Sequence, residues 1–144
     1  MSSRIIRLQY NFLSQSIEPF NIALPWNFST RDGMFKMNYS QDSAVRDDLL
    51  FWANTNKGEY VMDPEFGLDV RRYLFNPTSI IKDNLVQNAR EQLPRYFPQL
   101  TATSIQVLTQ DEIPEISDNE IIFKLDAFFT ADKDRRVSIE ESIR

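Results

Sequence analysis

The chain has 144 residues, with Lys+Arg 16 against Asp+Glu 21 and a formal net charge of -5. That is one domain's length, with no concentrated basic face to neutralise a nucleic-acid backbone. With no His and no Cys, zinc sites, haem ligation through His, thiol nucleophiles, Ser-His or Cys-His pairs and disulfides are excluded. Gly33, Gly58 and Gly67, the three glycines, form neither a Walker loop nor a dinucleotide fingerprint. The longest apolar run, Leu49 to Ala53, falls far short of the ~20 residues a membrane span requires. The first residues lack an apolar h-region, so no signal peptide and a cytoplasmic maturation are expected.

Residues 1 to about 40 carry the anchors Tyr10, Phe12, Phe20, Trp26, Phe28 and Phe35, broken up by Pro19 and Pro25. They read as an extended arm with short strands, one around Phe35–Tyr39. A helix is predicted from Gln41 to about Asn54. Ser40 is placed to cap it and Asp42 favours its dipole, while Val45, Leu49, Trp52 and Ala53 share one face. Leu50 and Phe51 widen that face toward cover on two sides. Gly58 is available for the positive φ that ends such a helix. Asp69 to Phe75 reads as a short helical turn. A second helix runs from about Thr78, as its cap, to Leu93. Ile81, Leu85 and Ala89 mark its buried face and Pro94 is expected to stop it.

The period then changes from helical to alternating. Ile105 and Val107 alternate with Ser104 and Gln106. Ile121, Phe123, Leu125, Ala127 and Phe129 form one apolar face of a half-buried strand. Asp132–Asp134 is expected to turn the chain into a last strand around Val137 and Ile139. The order helix, helix, strand, strand, strand implies an α+β fold, with two main helices packed on a small antiparallel C-terminal sheet. The acidic residues Asp111, Glu112, Glu115, Asp118 and Glu120 lack calcium-loop spacing and read as a solvated loop.

The least generic stretch is Gly58-Glu-Tyr-Val-Met-Asp-Pro-Glu-Phe-Gly67-Leu-Asp-Val-Arg71-Arg72-Tyr-Leu-Phe-Asn-Pro77. It resembles the baseplate wedge family of contractile phage tails typified by the T-even phage gene product twenty-five. Relatives occur in type VI secretion and other contractile injection systems. The family pattern runs Gly-Glu-Arg-Val-Met-x-Pro-x-Phe-Gly, then a leucine and an arginine pair, then Leu-Phe-x-Pro. Gly58, Glu59, Val61, Met62, Pro64, Phe66, Gly67, Arg71, Arg72, Leu74, Phe75 and Pro77 match it, and Tyr60 stands where an arginine is common. The resemblance covers roughly Ser40 to Glu140, giving a baseplate wedge domain over 41–144 and an N-terminal arm over 1–40. A further signature, Glu-Pro-Arg at the end of the second helix, keeps only its proline in Tyr96-Phe97-Pro98-Gln99.

The resemblance implies a structural subunit of a virion tail baseplate, assembled in the host cytoplasm in multiple copies of a sixfold ring. The implied partners are other wedge proteins and the tail sheath protein, with tube or hub proteins as further candidates. No cofactor, metal, nucleic acid, membrane or catalytic activity is expected. A sheath initiator joined by strand addition is the favoured role, and the equivalent subunit of an injection machine is the alternative. Candidate contact residues are Glu59, Arg71, Arg72, Tyr96 and Pro98, the outer-face residues Ile122 and Phe128, and the edge strand Val137, Ser138 and Ile139. Arg71 or Arg72 either clamps a neighbour by forked hydrogen bonds or pairs internally with Glu59, Asp63 or Glu65. Ile122 and Phe128 are covered either by the arm or a helix, or by a partner. The opposing class, a peptidoglycan-cleaving enzyme, needs two facing carboxylates, one with a raised pKa. Glu59 with Asp63, Glu65 or Asp69 is a candidate pair that nothing in the sequence selects.

Overall fold

The computed structural model describes residues 18–74, 76–117 and 120–144, so Tyr10, Phe12, Phe75 and Asp118 lie outside the described residues. The chain divides after Ala44 into two compact units. In the first, β1 (Asn21–Ile22) pairs antiparallel with β2 (Met37–Asn38), and a bridge joins Phe28 to Phe35. The expected short strand near Phe35–Tyr39 is therefore β2. Stacked Phe28 and Phe35 rings, 5.8 Å apart, and Trp26 at 6.2 Å from Phe35 hold the loop between them.

Helix α1 covers Gln41–Asn54. The Ser43 amide donates to Ser40 Oγ at 3.5 Å and the Ala44 amide to the Ser40 carbonyl at 3.0 Å, the expected cap. At the far end, side chains satisfy the last carbonyls. Thr55 Oγ1 donates to Phe51 O at 2.6 Å and Asn54 Nδ2 to Leu50 O at 3.0 Å. Gly58 then takes a φ of 87°. Val45, Leu49, Trp52 and Ala53 are buried as their spacing predicts, whereas Phe51 is 45% exposed.

A 3-10 turn, Val70–Tyr73, occupies the expected helical turn. Helix α2 spans Thr78–Tyr96, and Pro77 rather than Thr78 holds the cap position. Pro94 does not stop it. A proline in the last turn forfeits one hydrogen bond, and the Phe97 amide still reaches Leu93 O at 2.8 Å. Burial of Phe97 against Trp52, ring centroids 5.9 Å apart, favours that extra turn.

The sheet has the order β3-β4-β5, all antiparallel: β3 Leu100–Leu108, β4 Ile121–Phe129 and β5 Asp132–Ile143. The odd residues of β4 from Ile121 to Phe129 are buried, as their alternation predicts. They form one core with Leu49 and Trp52 of α1, Ile81, Leu85 and Ala89 of α2, and Val137 and Ile139 of β5. The hairpin reverses at Thr130-Ala131, not at Asp132–Asp134. Asp132 is already paired with Phe129, and the register jumps before Phe128↔Arg136. Asp132 Oδ1 accepts from the Asp134 amide at 3.1 Å, a local turn inside the bulge. Asp111, Glu112 and Glu115 of the acidic loop are exposed, as expected, and the loop is also tied down at several points. Glu112 pairs with Lys82 at 2.6 Å, Glu120 accepts from Ser142 and Arg144, and Ile116 is buried.

Candidate functional site

The motif between Gly58 and Pro77 is a loop clamped to both helices by backbone and amide contacts. The Leu68 amide donates to Trp52 O and the Asp69 amide to Thr55 O, each at 3.2 Å. Behind it, buried Gln92 accepts from Trp52 Nε1 at 2.7 Å and donates to Gly67 O at 2.9 Å. Asn88 Nδ2 adds a bond to Leu68 O at 3.0 Å. Sequence reasoning missed Gln92. The available signal was its place seven residues beyond Leu85, inside the stripe Leu85, Ala89, Leu93, where a polar side chain needs a buried partner.

Gly67 has a φ of 115°, and a Cβ there would run into the Thr55 carbonyl. The missing side chain lets the loop lie against the end of α1. Asp69, a buried non-glycine residue, follows at φ 61° and starts the 3-10 turn.

The candidate contact residues separate into groups. Arg71 and Arg72 are both exposed. Arg72 lies 3.9 Å from Asp69, three residues back, instead of pairing with Glu59, Asp63 or Glu65. Those three acids have other partners. Glu65 lies 3.9 Å from Lys57, and Asp63 Oδ2 accepts from Tyr96 Oη at 2.9 Å with Arg95 at 3.8 Å. Burial and the Asp63 hydrogen bond push the Tyr96 phenol up. Pro98 is exposed beside them, while Phe97 turns inward.

Glu59 accepts from the backbone and side-chain amides of Asn56, both at 2.8 Å. Those bonds, aided by the Arg71 charge, hold its carboxyl below the ordinary 4.5. That is the opposite direction from a glycosidase general acid. The pH consequence has a definite sign. A depressed folded value means Glu59 adds stability above pH 4.5, and that contribution is lost as pH falls through the lowered value. Thermal melts of wild type and Glu59→Gln should therefore converge on acidification. A gap unchanged between neutral pH and pH ~3 would contradict this assignment.

On the sheet, Ile122 and Phe128 are half-buried on the face opposite the core. Val137 and Ile139 bury their side chains, Ser138 exposes its own, and β5 is an outer strand. Any contact that Val137 and Ile139 make along the open edge is therefore through backbone. Among the described residues, no group of three or more acidic side chains is arranged to hold a metal ion. No described helix is long and apolar enough to cross a membrane.

This arrangement has relatives among known proteins. A family model described as "Baseplate wedge protein gp25" matches residues 40–134. The baseplate wedge protein gp25 of Enterobacteria phage T4 is 28% identical over 89 residues, covering 56% of this chain and 67% of that one. A chain in the sixfold-symmetrised cryo-EM structure of the anti-feeding prophage baseplate superposes with a TM-score of 0.52 at 17% identity, covering 84% of this chain and 81% of its own. The crystal structure of a putative tail lysozyme from Geobacter sulfurreducens gives a TM-score of 0.55 at 17% identity, covering 72% and 90%. At such identity the two structures speak to the fold alone.

Proposed function

Since the chain belongs to the gp25 family of baseplate wedge proteins, we propose that it is a structural, non-enzymatic subunit of a contractile-tail baseplate. In this reading the open edge of β5 starts the sheath by accepting a strand from the first sheath subunits. Other wedge proteins hold the motif loop and its exposed Arg71 and Arg72, and several copies act together in the virion tail. The observation that carries the strand reading is the state of β5. It runs in register with β4 for eight consecutive pairs, from Phe128↔Arg136 to Ile121↔Ile143. Both outer strands carry a bulge, but that of β5 lies at its hairpin end before Arg136, whereas that of β3, between Ala102 and Ser104, leaves no more than five consecutive pairs, and β3 is also the strand against which α2 packs. A bulge within an edge spoils its pairing with an incoming strand, whereas a regular edge offers a row of N–H and C=O groups. Each new bond contributes about 0.5–1.5 kcal/mol net, so firm anchoring requires several bonds and several copies acting together.

The second reading is the equivalent subunit of an injection machine, and it accords with a fold shared with a chain of the anti-feeding prophage baseplate. In the lysozyme reading Glu59, with its carboxyl depressed, does not suit the general-acid role.

Electron microscopy of particles assembled without the protein tests the assembly role. Missing baseplates, or tubes without sheath, are expected, and complete sheathed tails would overturn it. Proline placed singly at Ser138 and at Glu141 tests the edge. These positions alternate along β5, so one amide faces β4 and the other faces outward. The variant whose melting point stays near wild type removes the outward amide, and it is the one expected to lose sheath. Normal sheath on that variant would remove strand addition at β5.

A further inference from the structure

Beside the motif loop, within residues 45–144, lies an open cleft of about 460 Å³. One wall is a run of touching rings. Phe51 lies 5.9 Å from Phe66 and 6.3 Å from Tyr60, Tyr60 lies 5.2 Å from Phe66, and Phe66 lies 5.1 Å from Tyr96. Asp48 of α1 and Asp63 of the loop also line it. The core does not require this exposure: Phe51 and Tyr60 remain more than two-fifths accessible. Val61 and Met62, at the tip of the loop, are exposed by 90% and 86%.

We propose that this cleft receives an arginine side chain presented by a partner protein, with Val61 and Met62 gripping apolar residues that flank it. The chemistry is specific to a guanidinium. Its flat face stacks on Phe and Tyr rings, whose quadrupoles attract a cation, and its N–H groups donate to carboxylates. Within the chain, Arg95 already lies over a ring at the rim and in ion-pair range of a carboxylate. Its guanidinium carbon lies 5.1 Å from the Tyr96 ring centroid and its Nη2 lies 3.8 Å from Asp63 Oδ2. The incoming group would extend that arrangement over the neighbouring rings and toward Asp48. This proposal uses no residue of β5, so it stands or falls apart from strand addition.

The test is a titration of the ¹⁵N-labelled full chain with the peptide acetyl-Gly-Leu-Arg-Leu-Gly-amide, followed by amide chemical shifts. The control replaces arginine by citrulline, its neutral isostere. The arginine peptide is expected to shift residues 48–66 and 96–97 and to bind about tenfold more tightly than the control. Asp48→Asn and Asp63→Asn should each bring the arginine peptide toward the control's affinity while leaving the control unchanged. Asp48→Asn serves this purpose even if loss of the Asp63 carboxylate disturbs the loop. Equal binding of both peptides would mark an apolar groove without charge selection and overturn the proposal. So would shifts mapping elsewhere, or no binding at about 5 mM.

Discussion

Replacing Trp52 by alanine is expected to destabilise the protein by about 3–5 kcal/mol, the range for deleting a large buried aromatic side chain. Trp52 is fully buried, and its ring meets Phe97 at 5.9 Å and Phe123 at 6.1 Å, joining α1 to the end of α2 and to β4. Two losses act together. The cavity removes packing from both neighbours, and Gln92 Oε1 loses the indole N–H it accepts at 2.7 Å. Trp52→Phe separates them, since it keeps most of the ring volume and removes the N–H. Its cost should be nearer about 1–3 kcal/mol, that of a buried acceptor left without a donor. Urea unfolding monitored by far-UV circular dichroism measures both. A Trp52→Ala loss within about 1 kcal/mol of zero would mean that this core does not depend on the ring.

Gly67→Ala comes next, with an expected loss of about 2–4 kcal/mol from backbone strain and a steric clash together. At φ 115° an L side chain is strained wherever it points. Here the added Cβ also meets the Thr55 carbonyl, a backbone group that already accepts from the Asp69 amide at 3.2 Å. Relief requires the loop to lift from α1, which would also strain the Gln92 to Gly67 bond of 2.9 Å. Gly58→Ala is the internal control. It shares a positive φ of 87°, yet a Cβ added there would meet nothing within 4 Å. Its cost should be that of conformation alone, about 1 kcal/mol. The same urea titrations compare the two variants. Equal losses at the two glycines would show that close approach to Thr55 contributes nothing.

Local chemistry made much of the fold legible. The bounds of α1 follow from Ser40, the apolar spacing and Gly58, and the half-buried face of β4 follows from strict alternation through Ile121–Phe129. Both are written in neighbours two to four positions apart, the distances that set helix and strand periodicity. The motif from Gly58 to Pro77 likewise identified the family from residue types at fixed spacing. Pro94 was misleading because its local penalty is a single hydrogen bond at a helix end, while burial of Phe97 depends on Trp52, which is distant in sequence. The reversal at Thr130-Ala131 was hidden for a related reason. Asp132 and Asp134 do make a local turn, but pairing with β4 decides where the hairpin closes.

The sequence by itself determined an acidic α+β chain without His or Cys, its helix faces, its alternating strands and its family motif. Tertiary structure alone decided that β4 is central and β5 an outer strand, that Gln92 ties Trp52 to Gly67, and that Asp63 meets Tyr96 rather than an arginine of the motif. The physical reason is range. Periodicity and capping are satisfied within one or two turns of chain, whereas a buried amide, a ring wall or a strand order takes its energy from segments that only folding brings together.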